Sequence, residues 1–126
     1  MKDPIFELCD RVREISFALH CYLKHGYLEK VYENGLTHRL RKQNIQVEQQ
    51  VPLDVIDEDC TPIGQYIADL VVEQKLLIEL KAVSTLAPEH TAQLLGYLKA
   101  TNLEHGLLIN FGAPKLQIKK YALSPT

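Results

Sequence analysis

Ionisable residues stand inside two otherwise apolar runs of this 126-residue sequence, where an unpaired charge would be costly and normally has a partner or a metal. Asp69 lies in Tyr66-Ile67-Ala68-Asp69-Leu70-Val71-Val72, and Glu79 and Lys81 lie in Leu76-Leu77-Ile78-Glu79-Leu80-Lys81-Ala82-Val83. Glu29 borders the apolar stripe of a predicted helix. Glu79 and Lys81 are two positions apart, so on a strand their side chains leave the same face. Two carboxylates converging from adjacent strands make a hard, oxygen-rich site of the kind Mg²⁺ prefers, with water and a substrate phosphate filling the remaining positions. A lysine beside them can orient or help deprotonate a water and balance charge developing on a scissile phosphate. That is the chemistry of metal-assisted phosphodiester hydrolysis.

Singly, these signals are weak. A Glu-x-Lys pair in a strand is most often a same-face ion pair at a sheet edge, Asp69 alone reads equally as a bulge or turn residue, and Glu29 alone as a helix-surface acid. Their combination with Gln93 and Tyr97, at i and i+4 on one helix face directly after the Glu-x-Lys strand, singles them out. His90 falls one turn earlier on nearly the same line. Other chemistries lack their patterns: the five histidines show no HxxxH spacing for zinc. No GxGxxG or GxxxxGK phosphate loop occurs, and Ser84 has no Gly-x-Ser-x-Gly elbow.

The elements that must position these residues follow from periodicity. Apolar residues at steps of three and four predict a helix over 5–24, interrupted at Gly26, and a second helix through Leu28, Val31, Tyr32, Gly35, Leu36 and Leu40 that stops near Asn44. From Ile45 the period becomes two, placing Ile45, Val47, Gln49, Val51, Leu53 and Val55 on one face of a strand ending near Ile56. A turn over 57–64 leads to strands at 66–73 and 76–83, then a helix from Pro88 to about Thr101 and strands at 105–111 and 116–123. The order ααβββαββ predicts an α/β fold, a mixed central sheet flanked by helices, in one domain spanning 1–126. Tyr32 and Gly35 read as packing residues of the apolar stripe.

At these residues the sequence resembles a known family. Gly26-Tyr27-Leu28-Glu29-Lys30-Val31-Tyr32 is similar to the pattern that names the GxxExxY proteins. Ile67-Ala68-Asp69, Glu79-Leu80-Lys81 and Gln93-Leu94-Leu95-Gly96-Tyr97 resemble the motif series of the PD-(D/E)XK nuclease superfamily, particularly its RecB-like branch. The resemblance runs from about Gly26 to the last strand, and Ala68 departs from it where many members have Pro. It implies a restriction-endonuclease-like core, with Asp69 and Glu79 as Mg²⁺ or Mn²⁺ ligands joined by the backbone carbonyl of Leu80. Lys81 would activate water, Glu29 would add a metal or water contact, and Gln93 and Tyr97 would support the site and meet the substrate strand. The expected function is a nuclease acting on DNA; the alternative is a nuclease fold kept as a catalytically silent binding or interaction module.

With 14 basic and 16 acidic side chains, the chain is not a globally basic nucleic-acid coat protein. A local basic surface is expected from Arg39, Arg41 and Lys42, or from Lys115, Lys119 and Lys120, with Lys99 nearby. Cys9, Cys21 and Cys60 are odd in number and lack CxxC spacing, so they read as free thiols in a reducing cytosol. No signal peptide or membrane span is legible, so the expected location is cytoplasmic with no membrane partner. A homodimer is one way to build a longer substrate groove.

Parity sets one strict condition. If Gln74 and Lys75 formed a regular two-residue hairpin loop, Asp69 would lie opposite Leu80, on the wrong side of the sheet from Glu79 and Lys81. The site requires a three-residue loop, or a bulge between Asp69 and Glu73.

Overall fold

The computed structural model describes residues 3–123, which form an α/β fold with a five-stranded mixed sheet and helices on both faces. The elements are α1 (Pro4–Leu23), α2 (Glu29–Lys42), β1 (Val47–Ile56), β2 (Pro62–Val72), β3 (Leu76–Lys81), α3 (Pro88–Thr101), β4 (His105–Asn110) and β5 (Gln117–Ala122). The strands lie side by side in chain order. β3 and β4 are parallel with α3 as their crossover, and the other neighbours are antiparallel. One core gathers α1 and α2 against Leu70, Val72, Leu76, Ile78, Leu80, Leu107 and Ile109; a second gathers α3 against Val71, Leu77 and Leu108. The strand alternation of β3 thus feeds both cores, which is why its apolar run is nearly continuous.

The α1–α2 turn places the start of α2. Asp3 caps α1, its Oδ1 accepting the Ile5 N–H at 3.0 Å, and Pro4 takes the first helical position. α1 ends at Leu23, and Gly26 adopts φ 121, a conformation open at low cost only to glycine. The Tyr32 hydroxyl clasps this turn by donating to the Lys24 carbonyl and accepting the Tyr27 N–H at 3.2 Å. Its ring stacks on Phe111 at 4.8 Å and 11°, tying α2 to the end of β4. At Gly35 a β-carbon would stand 3.1 Å from a Leu19 methyl, so both residues serve packing.

The structure moves the start of β2 and the end of β3 and corrects one face, while α2 stops near Asn44 as its pattern implies. α2 ends at Lys42, followed by Asn44 in the left-handed region. β2 begins at Pro62 rather than Tyr66, because the Asp57–Thr61 turn closes on itself and Pro62, opposite Ile56 at the strand start, needs no N–H there. β3 ends at Lys81 rather than Val83, because the buried Asn110 side chain takes over Val83, accepting its N–H at 3.0 Å and donating to its carbonyl at 2.9 Å. Val47 and Leu53 do not share a face: Val47 packs in the α1/α2 core and Leu53 in the α3 core. Between them Gln50 has φ 54, and this left-handed residue reverses the alternation that sequence periodicity assumes unbroken.

Gly112 lets the chain after β4 press on the residues that follow Lys81, since a β-carbon there would lie 2.3 Å from the Val83 nitrogen. Gly112→Ala is expected to lower stability by about 3 kcal/mol through forced backbone displacement, measured by urea unfolding. Gly64→Ala, which points into open space, should change it by less than about 0.5 kcal/mol.

Candidate active site

The β2–β3 connection holds three residues, Glu73, Gln74 and Lys75, between the paired Val72 and Leu76. Glu73 and Gln74 take φ 52 and 57, and the Lys75 N–H donates to the Val72 carbonyl at 3.0 Å. The odd count meets the parity condition. The ladder runs Val72↔Leu76, Val71↔Leu77, Leu70↔Ile78, and its register, carried one step further, sets Asp69 opposite Glu79. There side chains replace the ladder: the Asp69 N–H donates to Glu79 Oε1 at 3.0 Å and the Leu80 N–H donates to Asp69 Oδ2 at 2.8 Å. Beyond this point β2 continues against β1 as far as Pro62, while β3 continues against β4. The sheet forks, and the two acids sit in the crotch.

The fork is braced from α2 by a residue that sequence reading did not single out. Glu33 is 2% exposed, and its carboxylate accepts from Gln49 Nε2 at 2.8 Å, Gln50 Nε2 at 2.7 Å and Lys30 Nζ at 2.9 Å. Consecutive strand residues ordinarily point to opposite faces, and the left-handed Gln50, in register with Asp69, is what turns both amides towards one helix. The available signal was spacing, since Glu33 stands one turn after Glu29 on the same helix face. Glu29 itself is the first residue of α2 and open to solvent.

Electrostatics bind these acids into one unit. Burial, then the negative charge of Asp69, pushes the Glu79 carboxyl up to about 9. Asp69 is also raised, by burial first, against the lowering hydrogen bond from Leu80. Partial desolvation and then Asp69 raise Glu29. Lys81 opposes the shift of all three. Its Nζ donates to Gln93 Oε1 at 3.0 Å, and Gln93 Nε2 donates to the Tyr97 hydroxyl at 3.0 Å, so α3 aims the lysine. Tyr97 is raised by burial and then by Glu79, and its ring meets Tyr66 of β2 at 5.1 Å across the fork.

Other sequence candidates have structural partners. His90 Nδ1 accepts the Ala87 N–H at 3.0 Å and caps α3. Arg41 donates to the Val47 carbonyl at 2.8 Å, Arg39 lies over the Tyr22 ring at 5.9 Å, and Lys120 lies over Phe6 at 5.0 Å. Arg39, Arg41 and Lys42 occupy the last turns of the 14-residue α2, whereas Glu29 starts it, so they stand roughly 15–20 Å from Glu29 along the helix axis.

The donor set suits a hard divalent cation. The Asp69 and Glu79 carboxylates each anchor one oxygen on a backbone N–H and face each other, and among the described residues no lysine or arginine is in hydrogen-bond contact with them. Among the described residues no three His, Cys, Asp or Glu side chains form a metal cage, so an ion would draw further oxygens from backbone, water and phosphate, as Mg²⁺ does. The Leu80 N–H is engaged with Asp69, which presents the following peptide to the same crotch.

This forked sheet with acids at its crotch is a nuclease architecture, and the comparisons agree. The sequence model of the PD-(D/E)XK nuclease superfamily matches residues 6–121, and the chain belongs to that superfamily. A solved structure described as "Crystal structure of SSO0001" shares the fold, with a TM-score of 0.62 at 18% identity over 77% of this chain and 50% of that one. This chain thus spans about half the length of that relative. No curated protein matches it. Among the described residues no helix is long and apolar enough to cross a membrane.

Two predictions follow from the carboxylates. Folded Glu79 keeps its proton to about pH 9 whereas the unfolded chain releases it near 4.5, so the native state holds more protons between these values and stability falls as pH rises. Thermal melts in EDTA should therefore show Tm declining from about pH 5 to 9, with a shallower decline in Glu79→Gln, while Mg²⁺ raises Tm most at the alkaline end. Glu33→Ala should cost about 2–3 kcal/mol in urea unfolding, because it removes the acceptor of two amides and the brace of a strained residue.

Proposed function

We propose that the chain is a metal-dependent nuclease of the GxxExxY type that hydrolyses phosphodiester bonds in DNA. The observation that carries this reading is the register of Asp69 against Glu79 at the sheet fork, with Lys81 two residues on and held by Gln93. Asp69, Glu79 and the Leu80 carbonyl would hold Mg²⁺ or Mn²⁺, and Glu29 would add a metal or water contact; the ion would supply Lewis-acid polarisation of the phosphate. As a water oxygen bonds to phosphorus and the bond from phosphorus to the leaving sugar oxygen breaks, Lys81 orients the water and offsets the growing negative charge. Gln93 fixes the lysine, and Tyr97 holds Gln93 while walling the crotch against Tyr66. Of the GxxExxY pattern, Gly26 and Tyr32 shape the turn that presents Glu29. A single nuclease domain acting in the cytoplasm completes the reading.

The test is cleavage of linear, circular, single-stranded and duplex DNA, with RNA in parallel, in Mg²⁺ or Mn²⁺. Lys81→Ala and Glu79→Gln are each expected to lower the rate by at least about 100-fold, and Gln93→Ala by less. Cleavage by Lys81→Ala at the wild-type rate would overturn the assignment. A wild type that binds DNA and metal without cutting it is the silent module instead.

A further inference from the structure

A cavity of about 570 Å³ opens between α1 and the β4–β5 connection, and none of its lining residues belongs to the acid site. Arg13, Lys24 and Lys115 supply positive charge, while Phe17, Leu116 and Ile118 give it an apolar wall, and no acid lines it. The three cationic side chains form no hydrogen bond, ion pair or ring contact with the described residues, whereas Arg41 and Lys120 form hydrogen bonds and Arg39 lies over a ring. Phe17 is 61% exposed, an unusual position for a phenyl ring. The wall is fixed, since buried His20 Nε2 lies 3.0 Å from the Ala113 carbonyl and ties α1 to the loop.

Both sides of this cavity extend segments that carry the acid site. Lys24 is the carbonyl that Tyr32 clasps, at the start of the turn leading to Glu29. Lys115 follows Gly112, whose backbone presses against Ala82 and Val83 immediately after Lys81. Cations without partners around an apolar, ring-bearing hollow match a nucleotide: phosphates for the charges, a base for the exposed ring. An exposed ring can stack on the face of an unpaired base, which a duplex keeps covered by its neighbours. We propose that it binds a nucleotide of a single-stranded segment of the substrate, outside the scissile bond, a proposal that rests on the nuclease reading of the acid site.

The test is fluorescence anisotropy of wild-type protein in EDTA, where no cleavage occurs, with labelled single-stranded and duplex oligonucleotides over a salt series. Lys24→Gln with Lys115→Gln is expected to weaken single-strand binding at least tenfold. It should also flatten the dependence of log K on log salt by about 1.4, or 0.7 per phosphate contact. Phe17→Ala should weaken it about tenfold with the slope unchanged, and Lys42→Gln, at the far end of α2, should leave both unchanged. Unaltered affinity in the double variant, an equal loss with Lys42→Gln, no binding by the wild type, or a mononucleotide binding as tightly as the oligonucleotide would each overturn the proposal. The two readings fail separately. The expected binding pattern without cleavage by the wild type removes the nuclease activity and keeps the cavity, whereas cleavage with an unchanged KM in the double variant removes the cavity.

Discussion

Two carboxylates set opposite each other on neighbouring strands, in a largely dehydrated place, are the constraint on which the structure turns. Burial strips water from Asp69 and Glu79, and their proximity disfavours two negative charges at once, which keeps Glu79 protonated, so the fold must give their oxygens something in place of water. It does so with two backbone N–H groups, those of Asp69 and Leu80. The same contacts that solvate the acids mark the point where β2 parts from β3. Charge and architecture are one feature here: the fork lies where backbone donors bind carboxylates.

A fork also needs holding open, and that work is distributed. On the β1 side, the left-handed Gln50 bends the strand at the level of Asp69, a conformation that costs of order 1–3 kcal/mol for a residue with a side chain. The buried Glu33 carboxylate offsets this by accepting both neighbouring amides. On the β3 side, Asn110 occupies the backbone of Val83 and Gly112 permits close approach, so the strand end carrying Lys81 is fixed by β4. Tyr32 connects the two halves, its hydroxyl on the α1–α2 turn and its ring on Phe111.

The distribution of charge follows from these supports. Acids concentrate at the crotch with Lys81 as their shared opposing cation, while several other basic side chains are engaged within the fold: Lys30 with Glu33, Arg41 with a carbonyl, Arg39 and Lys120 with aromatic rings. What remains unengaged on α1 and the β4–β5 connection surrounds a hollow rather than a convex surface. A nearly neutral chain can thus gather its acids in one centre and its unengaged cations in a separate recess, which net charge alone conceals.

Local periodicity was enough to read the element order, because each helix and strand buries one stripe and the stripe is written in consecutive residues. It was also enough to mark Asp69, Glu79 and Lys81 as charges in apolar runs, and to show by counting that their hairpin needed either an odd loop or a bulge, of which the structure has the three-residue loop. Where residues far apart decide a local conformation, the sequence was silent. Nothing near Gln50 announces a positive φ; it is held by Glu33, 17 positions away, and it sends Val47 and Leu53 to different cores. The basic run of α2 looked equal to Lys115 as a substrate surface, and only three dimensions set it at the end of the helix away from the acids while bringing Arg13 and Lys24 beside Lys115. Spacing along the chain specifies which face a side chain leaves, but burial, register between strands and the partners that neutralise a charge are properties of contacts, and those form only when the whole chain has packed.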